Sequence, residues 1–266
     1  MTITGNVLER IVAATRKSLA QRMARRTMSE VESLARGASP ARDFAAALRE
    51  KRNTGIAIIA EVKRASPSKG WLNQALDAPA LAVSYQSGGA SAVSVLTEKD
   101  FFHGGFSDLE QVREAVLLPV LCKDFIVEPY QVCEARWHGA DAVLLIAEIL
   151  DSGSLRELGQ TAAGLGMAAL VETHNEAEVL KALASGARII GINNRDLADF
   201  TVDLKTTVRL RPLVPMGVVV VSESGIKNRD DVASMERANV DAILVGEMLV
   251  KSPDPAAQIR GLLGAL

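Results

Sequence analysis

Residues 58–70 read IIAEVKRASPSKG, and the fold of the whole chain can be worked out from this stretch. The apolar run from Ile56 to Ala60 predicts a fully buried strand, which ends by setting Glu61 and Lys63 two residues apart before a Ser-Pro-Ser-Lys-Gly loop. Alternate side chains of a strand share a face. An acid and a base therefore leave one strand end pointing the same way, beside a loop able to move over whatever they touch.

Beyond residue 55 this pattern recurs: a short apolar strand, a polar or charged residue at its end, then an amphipathic helix. Strands are predicted at Ile56–Val62, Ala92–Leu96, Pro119–Cys122, Ala142–Ala147, Ala168–Val171, Arg188–Ile192, Val218–Val221 and Ala242–Val245. Such runs separated by helices imply a parallel sheet covered by helices. Eight units in 266 residues fit a single closed (β/α)8 barrel, the TIM-barrel class. Gly89-Ala90, Gly139-Ala140 and Gly186-Ala187 precede strands, as glycines ending the preceding helices would. The alternative is an open doubly wound sheet, but no G-x-G-x-x-G follows the first strand.

Residues 1–53 stand outside the repeat and form an N-terminal helical extension, within one domain spanning 1–266. Val7, Leu8, Ile11, Val12, Leu19 and Met23 recur at helical spacing, and a second short helix is predicted from Asp43 to Arg52 after Ser39-Pro40. The pattern leaves open whether the extension caps one end of the barrel or packs on its side.

Composition narrows the function classes. With 48% hydrophobic residues and a formal net charge of −2, the chain buries a large core and offers no electrostatic footprint for nucleic acid or anionic membrane. Arg22, Arg25 and Arg26 read as a solvated helix face. Cys122 and Cys133 form neither a disulfide framework nor a metal spacing, which predicts a reduced, cytoplasmic protein. Glu9, Arg10, Arg16 and Lys17 interrupt any secretory signal, and the run Ala142–Leu150 is broken by Glu148, well short of the roughly 20 residues of a membrane span.

In a barrel of this type chemistry sits at the C-terminal mouth. The strand ends present Glu61 with Lys63, Lys123, Glu172, Asn193, Glu223 with Ser224 and Gly225, and Gly246. Five strands thus deliver an ionisable or amide group in phase, which isolated loop charges would not do. If Lys123 points inward, Cys122 points out towards the helices as a structural residue. Gly225 and Gly246 follow the seventh and eighth strands, whose loops often bind phosphate through backbone N–H groups. Glu247 should then turn its carboxylate away. His103, His138 and His174 lie on separate segments without a metal-site pattern, so no metal is expected. Trp137 and His138 read as helix-surface residues, and Trp71 as either a cover for an aromatic substrate or a loop anchor.

Six motifs now align with a known family. The stretches from Ile59 to Lys69, Phe101-Phe-His-Gly104, Cys122-Lys-Asp-Phe-Ile126, Leu170-Val-Glu-Thr173, Gly191-Ile-Asn-Asn-Arg-Asp196 and Ser222-Glu-Ser-Gly-Ile226 closely resemble indole-3-glycerol-phosphate synthases of tryptophan biosynthesis. His103 and Met248 depart from the family pattern. The resemblance implies a barrel with its helical extension over the mouth. It also implies cofactor-free ring closure of 1-(2-carboxyphenylamino)-1-deoxyribulose 5-phosphate with loss of carbon dioxide and water. By resemblance, Lys123 is the general acid, Glu172 handles protons and stabilises cationic charge, Glu61 and Lys63 serve ring closure and dehydration, and Asn193 and Glu223 position substrate and lysine. Ser66, Ser224, Gly225, Gly246 and Glu247 correspond to the phosphate side, and Phe102, Phe125, Leu144 and Leu197 to the aromatic-ring pocket. Partners would be a small phosphorylated substrate and other tryptophan-pathway enzymes, with no nucleic acid and no membrane.

A mixed Lys/Glu cavity suits a substrate with a phosphate and a benzoate and a cationic transition state. Acting as an acid, Lys123 is expected to have its pKa lowered by burial or by Lys63. Two rival readings stand beside this one: a Schiff-base aldolase using Lys123 as nucleophile, and a barrel that only binds a phosphorylated ligand.

Overall fold

A computed structural model describes residues 7–50, 55–196 and 200–265. Eight parallel strands close into a barrel: β1 (Ala57–Val62), β2 (Ala92–Leu96), β3 (Val120–Lys123), β4 (Ala142–Ile146), β5 (Ala168–Thr173), β6 (Ile189–Asn193), β7 (Val219–Glu223) and β8 (Ala242–Val245). Each strand pairs with its neighbours in sequence, and β8 pairs with β1 to complete the ring, Ile59 lying opposite Leu244. All eight strands overlap their predicted positions, and four run further at the mouth end, so that Lys123, Thr173, Asn193 and Glu223 are themselves strand residues.

Alternation sorts each strand into two layers. Ile58, Val93, Val120, Cys122, Val143, Leu145, Ile190, Ile192 and Val220 pack outward beneath the helices, so Cys122 stands where small apolar side chains belong. Inward residues Ala57, Ile59, Leu121, Leu144, Leu170, Ile189, Val219, Val221 and Leu244 fill the barrel. Glu61, Lys123, Glu172, Asn193 and Glu223 continue that inward phase at the mouth.

The outer ring includes α4 (Ala78–Gly88), α5 (Phe106–Ala115), α6 (Pro129–Trp137), α7 (Ser152–Gly164), α8 (Glu176–Ser185), α9 (Lys205–Leu210), α10 (Arg229–Arg237), α11 (Glu247–Val250) and α12 (Pro255–Leu263). Gly89 and Gly186 end α4 and α8 in the left-handed region that glycine favours. No described helix is long and apolar enough to cross a membrane.

The extension does more than cap one end. Helix α1 (Val7–Arg25) crosses the mouth, where Val7, Leu8 and Ile11 line the cavity. Helix α2 (Met28–Gly37), opened by a reciprocal Thr27–Glu30 capping box, packs Val31 and Ala35 against Tyr130 and Cys133 of α6. Helix α3 (Phe44–Glu50) drives Phe44 and Leu48 into the opposite end of the barrel among Ala57, Leu121 and Val219. One segment thus covers the mouth, clasps a flank and plugs the bottom.

The plug is fixed by Asp141, wholly buried at the start of β4. Its carboxylate accepts from the backbone N–H groups of Arg42 and Val120, both at 2.8 Å, and Arg113 lies 3.3 Å away. Arg136 donates to the carbonyls of Ala140 and Ser39, and Arg42 to those of Leu118 and Arg113, so the guanidinium groups also hold the 38–43 connection.

Candidate active site

The mouth opens into a cavity of about 1000 Å³. Its floor is ionic and its walls largely apolar, with Phe102, Phe125, Leu144 and Ile146 on one side and Leu8 and Ile11 of α1 above. The Phe102 and Phe125 rings are 6.0 Å apart and tilted. Leu197, the remaining residue of the expected ring pocket, lies outside the described residues.

Lys123 is the centre of the floor. Its Nζ donates to Glu172 Oε2 and Glu223 Oε2, each at 3.0 Å, which leaves a third N–H donor. Asn193 Nδ2 donates to Glu172 Oε1 at 3.2 Å. Register explains the convergence, because Asn193 lies opposite Glu223 and Glu172 opposite Gly191. A Cβ at Gly191 would collide with Glu223 Oε1, so this glycine makes room for the carboxylate. That oxygen is buried and accepts no hydrogen bond from the described residues.

Glu61 and Lys63 form the expected pair, with Nζ 2.6 Å from Oε1. Tyr85, buried beneath the strand, donates its hydroxyl to the Glu61 carbonyl. The following loop folds into a small hairpin in which Ala65 pairs with Trp71 and Ser66 with Gly70. Arg64 ties its base to Asp108 through two hydrogen bonds of 3.0 and 2.7 Å. Trp71 is absent from the cavity lining and stacks on His103 at 4.1 Å, which favours the anchor over the substrate cover.

Electrostatics overturn one expectation. Burial opposes the charge on Lys123, but Glu172, Glu223 and Glu61 outweigh it and raise the ammonium above the ordinary lysine value. Lys63 is itself paired with Glu61, and the net shift of Lys123 is upward, opposite to the lowering expected. The two carboxylates on Lys123 also differ. Burial pushes Glu172 up, yet Lys123 and His174 bring it well below the usual carboxylate range. Burial also raises Glu223, and Lys123 only partly offsets this while Glu172 adds to it, so its net shift is upward. Titratable neighbours driven apart in this way are the ordinary basis of acid and base assignments.

Of the residues expected on the phosphate side, Ser66, Ser224, Gly225, Gly246 and Glu247 all line the cavity, as do Lys63, Lys69, Lys227 and Lys251. The two glycines carry an additional constraint. A Cβ at Gly246 would lie 2.6 Å from Glu61 Oε1, and one at Gly225 2.8 Å from Val202 Cγ1, so the space of each missing side chain is occupied by the protein itself. The Glu247 carboxylate is engaged by Lys251 at 2.7 Å and faces Lys69 at 3.8 Å.

Further residues of this region escaped the sequence reading. Arg195 and His174 each stand two positions beyond a strand-end residue, Asn193 and Glu172, on the phase that singled out Lys63 after Glu61. Arg195 lines the cavity, and His174 Nε2 lies 3.4 Å from Glu172 Oε1. Glu148, His174 and Glu178 bring one potential ligand atom each within 4.8 Å of one another. The Glu178 oxygens are already taken by the His174 N–H, its ring and the Asn175 amide, so the cluster reads as an ion-pair network.

Fold and site together define the class: a (β/α)8-barrel enzyme with proton-transfer groups at the C-terminal mouth. Solved structures share the fold alone. 3-Hexulose-6-phosphate synthase superposes with a TM-score of 0.64 at 15% identity, covering 79% of this chain and 100% of that one. Thiamine phosphate pyrophosphorylase from Pyrococcus furiosus gives 0.61 at 18% identity, covering 80% and 96%. Sequence comparison is more specific. The family model described as indole-3-glycerol phosphate synthase matches residues 8–262. An indole-3-glycerol phosphate synthase of Mycobacterium avium is 47% identical over 97% of this chain and 94% of its own length. Indole-3-glycerol phosphate synthase 2 of Streptomyces coelicolor is 48% identical over 97% and 99%. The chain belongs to the indole-3-glycerol phosphate synthase family, carboxy-lyases of tryptophan biosynthesis.

Proposed function

We propose that this protein closes the indole ring of 1-(2-carboxyphenylamino)-1-deoxyribulose 5-phosphate, releasing carbon dioxide and water to give indole-3-glycerol phosphate. The observation that carries the reading is the placement of Lys123 between Glu172 and Glu223 on the floor of an apolar-walled cavity. In this scheme the anilino ring carbon bearing the carboxylate attacks the ketone carbon, and the ketone oxygen takes a proton from the Lys123 ammonium. Attack leaves an iminium-like cation, which Glu172 stabilises from a fixed position without reorganisation. Loss of carbon dioxide returns the bonding electrons to the ring. Departure of the new hydroxyl as water, served by the Glu61–Lys63 pair, completes the indole.

Asn193 and Glu223 hold Glu172 and Lys123 in place, and Glu223, raised by burial, is suited to return a proton to Lys123 once the lysine has given its own to the ketone oxygen. Phe102, Phe125, Leu144 and Leu197 receive the aromatic ring, while Ser66, Ser224, Gly225, Gly246 and Glu247 form the phosphate side. The whole chain, 1–266, acts as one barrel domain with residues 1–53 as its extension. This reading carries a cytoplasmic setting beside the other enzymes of the pathway, and needs no cofactor.

The raised pKa of Lys123 argues against a Schiff-base aldolase, whose lysine must lose its proton before attacking a carbonyl. Incubation with the carboxyphenylamino substrate tests the proposal: indole fluorescence should appear, and no mass should be trapped on Lys123 by borohydride. A trapped imine, or binding without indole formation, would replace the synthase reading.

A further inference from the structure

His174 has no part in the scheme above, yet it is built into the site from two sides. Glu178, at the start of α8, takes the His174 backbone N–H at 2.8 Å and lies 3.1 Å from ring Nδ1 with the same oxygen. Its other oxygen accepts from Asn175 at 2.6 Å, and Asn175 in turn caps the helix by accepting from the Glu178 N–H. The ring is therefore held rigidly. Its buried Nε2 has Glu172 Oε1, at 3.4 Å, as its ion-pair partner. Glu172 Oε1 also receives the Asn193 amide, while Oε2 receives Lys123.

We propose that His174, clamped by Glu178, is a positioning residue that keeps Glu172 ionised and turned with one oxygen to Lys123 and the other to Asn193 and the imidazole. The inference rests on the reading that Glu172 and Lys123 carry chemistry. The sequence repeats the arrangement it uses at the first strand, Glu61-Val62-Lys63 and Glu172-Thr173-His174, an acid followed two residues later by a base on the same face. At β1 the base reaches into the cavity, whereas at β5 it lies behind the acid.

The charged groups facing the ring are Glu172 on β5, Glu178 on α8 and Glu148 beyond β4, 3.8 Å from Nδ1, with Lys123 beyond Glu172 and Asp196 acting on Glu148. Burial works against the imidazolium, but the hydrogen bonds and charges of Glu172 and Glu178 raise its pKa to about 10. Because the folded value lies above the ordinary 6.5, the stabilising contribution of the imidazolium is fully present below about pH 6.5 and is lost as pH rises through about 10.

His174→Leu, His174→Gln and Glu172→Gln, assayed for indole formation across pH, test the assignment. In the Leu variant kcat should fall on the order of 10- to 100-fold, the scale of a misplaced group, with KM little changed. Its acid limb should move to higher pH as Glu172 keeps its proton longer. Gln restores a donor but no charge, so it should recover most of the rate while the acid limb stays displaced. In the wild-type protein the ¹⁵N signals of the His174 ring should report an imidazolium at pH 8, and Glu172→Gln should lower its titration. An inactive Glu172→Gln beside a Leu variant with unchanged kcat and acid limb would remove His174 and leave Glu172 in place. Full activity in Glu172→Gln would instead remove the reading beneath the inference. Should the Leu variant fail to fold, an unmoved acid limb in the Gln variant or a neutral wild-type ring at pH 8 would overturn the proposal.

Discussion

The two ends of the barrel solve the same electrostatic problem in opposite ways. At the bottom one carboxylate, Asp141, faces the Arg113 and Arg136 guanidinium groups and accepts two backbone N–H groups; at the mouth one ammonium, Lys123, lies between two carboxylates. The bottom uses arginine, always charged and planar, and spends its remaining donors on fixed carbonyls of Ser39, Pro40, Leu118 and Gly139. The plug helix then seals it. The mouth uses lysine, whose charge shifts with its surroundings, and keeps Glu223 Oε1 without a hydrogen bond from the described residues beneath a cavity. A satisfied cluster under a plug is organised for stability, and an unsatisfied one under a cavity for chemistry.

This contrast predicts that substitutions at the two ends separate activity from stability. The largest effect belongs to the mouth. Lys123→Met keeps most of the side-chain volume, and kcat should fall by roughly 10²–10⁴, the usual worth of a general acid, while circular dichroism stays native. Near-normal turnover would break the contrast at its strongest point.

Phe44→Ala should cost about 3–5 kcal/mol of stability in denaturant titration, because a large aromatic side chain leaves a hole in the barrel bottom. The kcat of the molecules that remain folded should be unchanged. A drop in kcat without a drop in stability would show that the plug acts on the mouth.

Removing residues 1–25 strips α1 from the cavity but leaves the plug. KM should rise about 10-fold, the worth of one apolar contact, with Tm reduced less than by Phe44→Ala. A chain cut through residue 45 removes Phe44 as well, so its loss of activity would reflect unfolding, and the shorter truncation is the informative one. Asp141→Asn should lower stability by less than Phe44→Ala and leave the mouth untouched. An amide has one acceptor where two N–H groups need one each, so about 1–3 kcal/mol should be lost with no change in kcat/KM.

Most of the barrel could be read from the chain because β-strand alternation and the repeated strand–helix pattern are local. The same alternation picked out Glu61, Lys63, Lys123, Glu172, Asn193 and Glu223, which the structure brings around one cavity. Other features were out of reach for physical reasons. Asp43–Arg52 carries a short amphipathic pattern that says it buries a face and nothing about which end of a barrel receives it. The direction of the Lys123 shift depends on carboxylates contributed from three other strands, whereas the expected lowering rested on burial or on Lys63 at the same mouth. His174 does leave a signal, the two-residue spacing after Glu172, but it lies beyond the strand end, where a charge is ordinarily a loop residue. Gly246 was read for phosphate approach alone, and only the folded packing shows that Glu61 occupies the space of its missing side chain.

The order in which the extension and its partners are synthesised has a cost during biogenesis. Phe44 and Leu48 leave the ribosome early, yet the pocket that receives them includes Val219 and Ala242. At roughly 5–20 residues per second, the nascent chain carries this apolar segment unburied for on the order of ten seconds or more before the last strand exists. Burial of this segment therefore waits for the last strand and depends on contacts between distant parts of the chain, a class of event that proceeds slowly. During that interval the apolar face of α3 is open to misassociation, so slower elongation before the last strand is made would lengthen the vulnerable period.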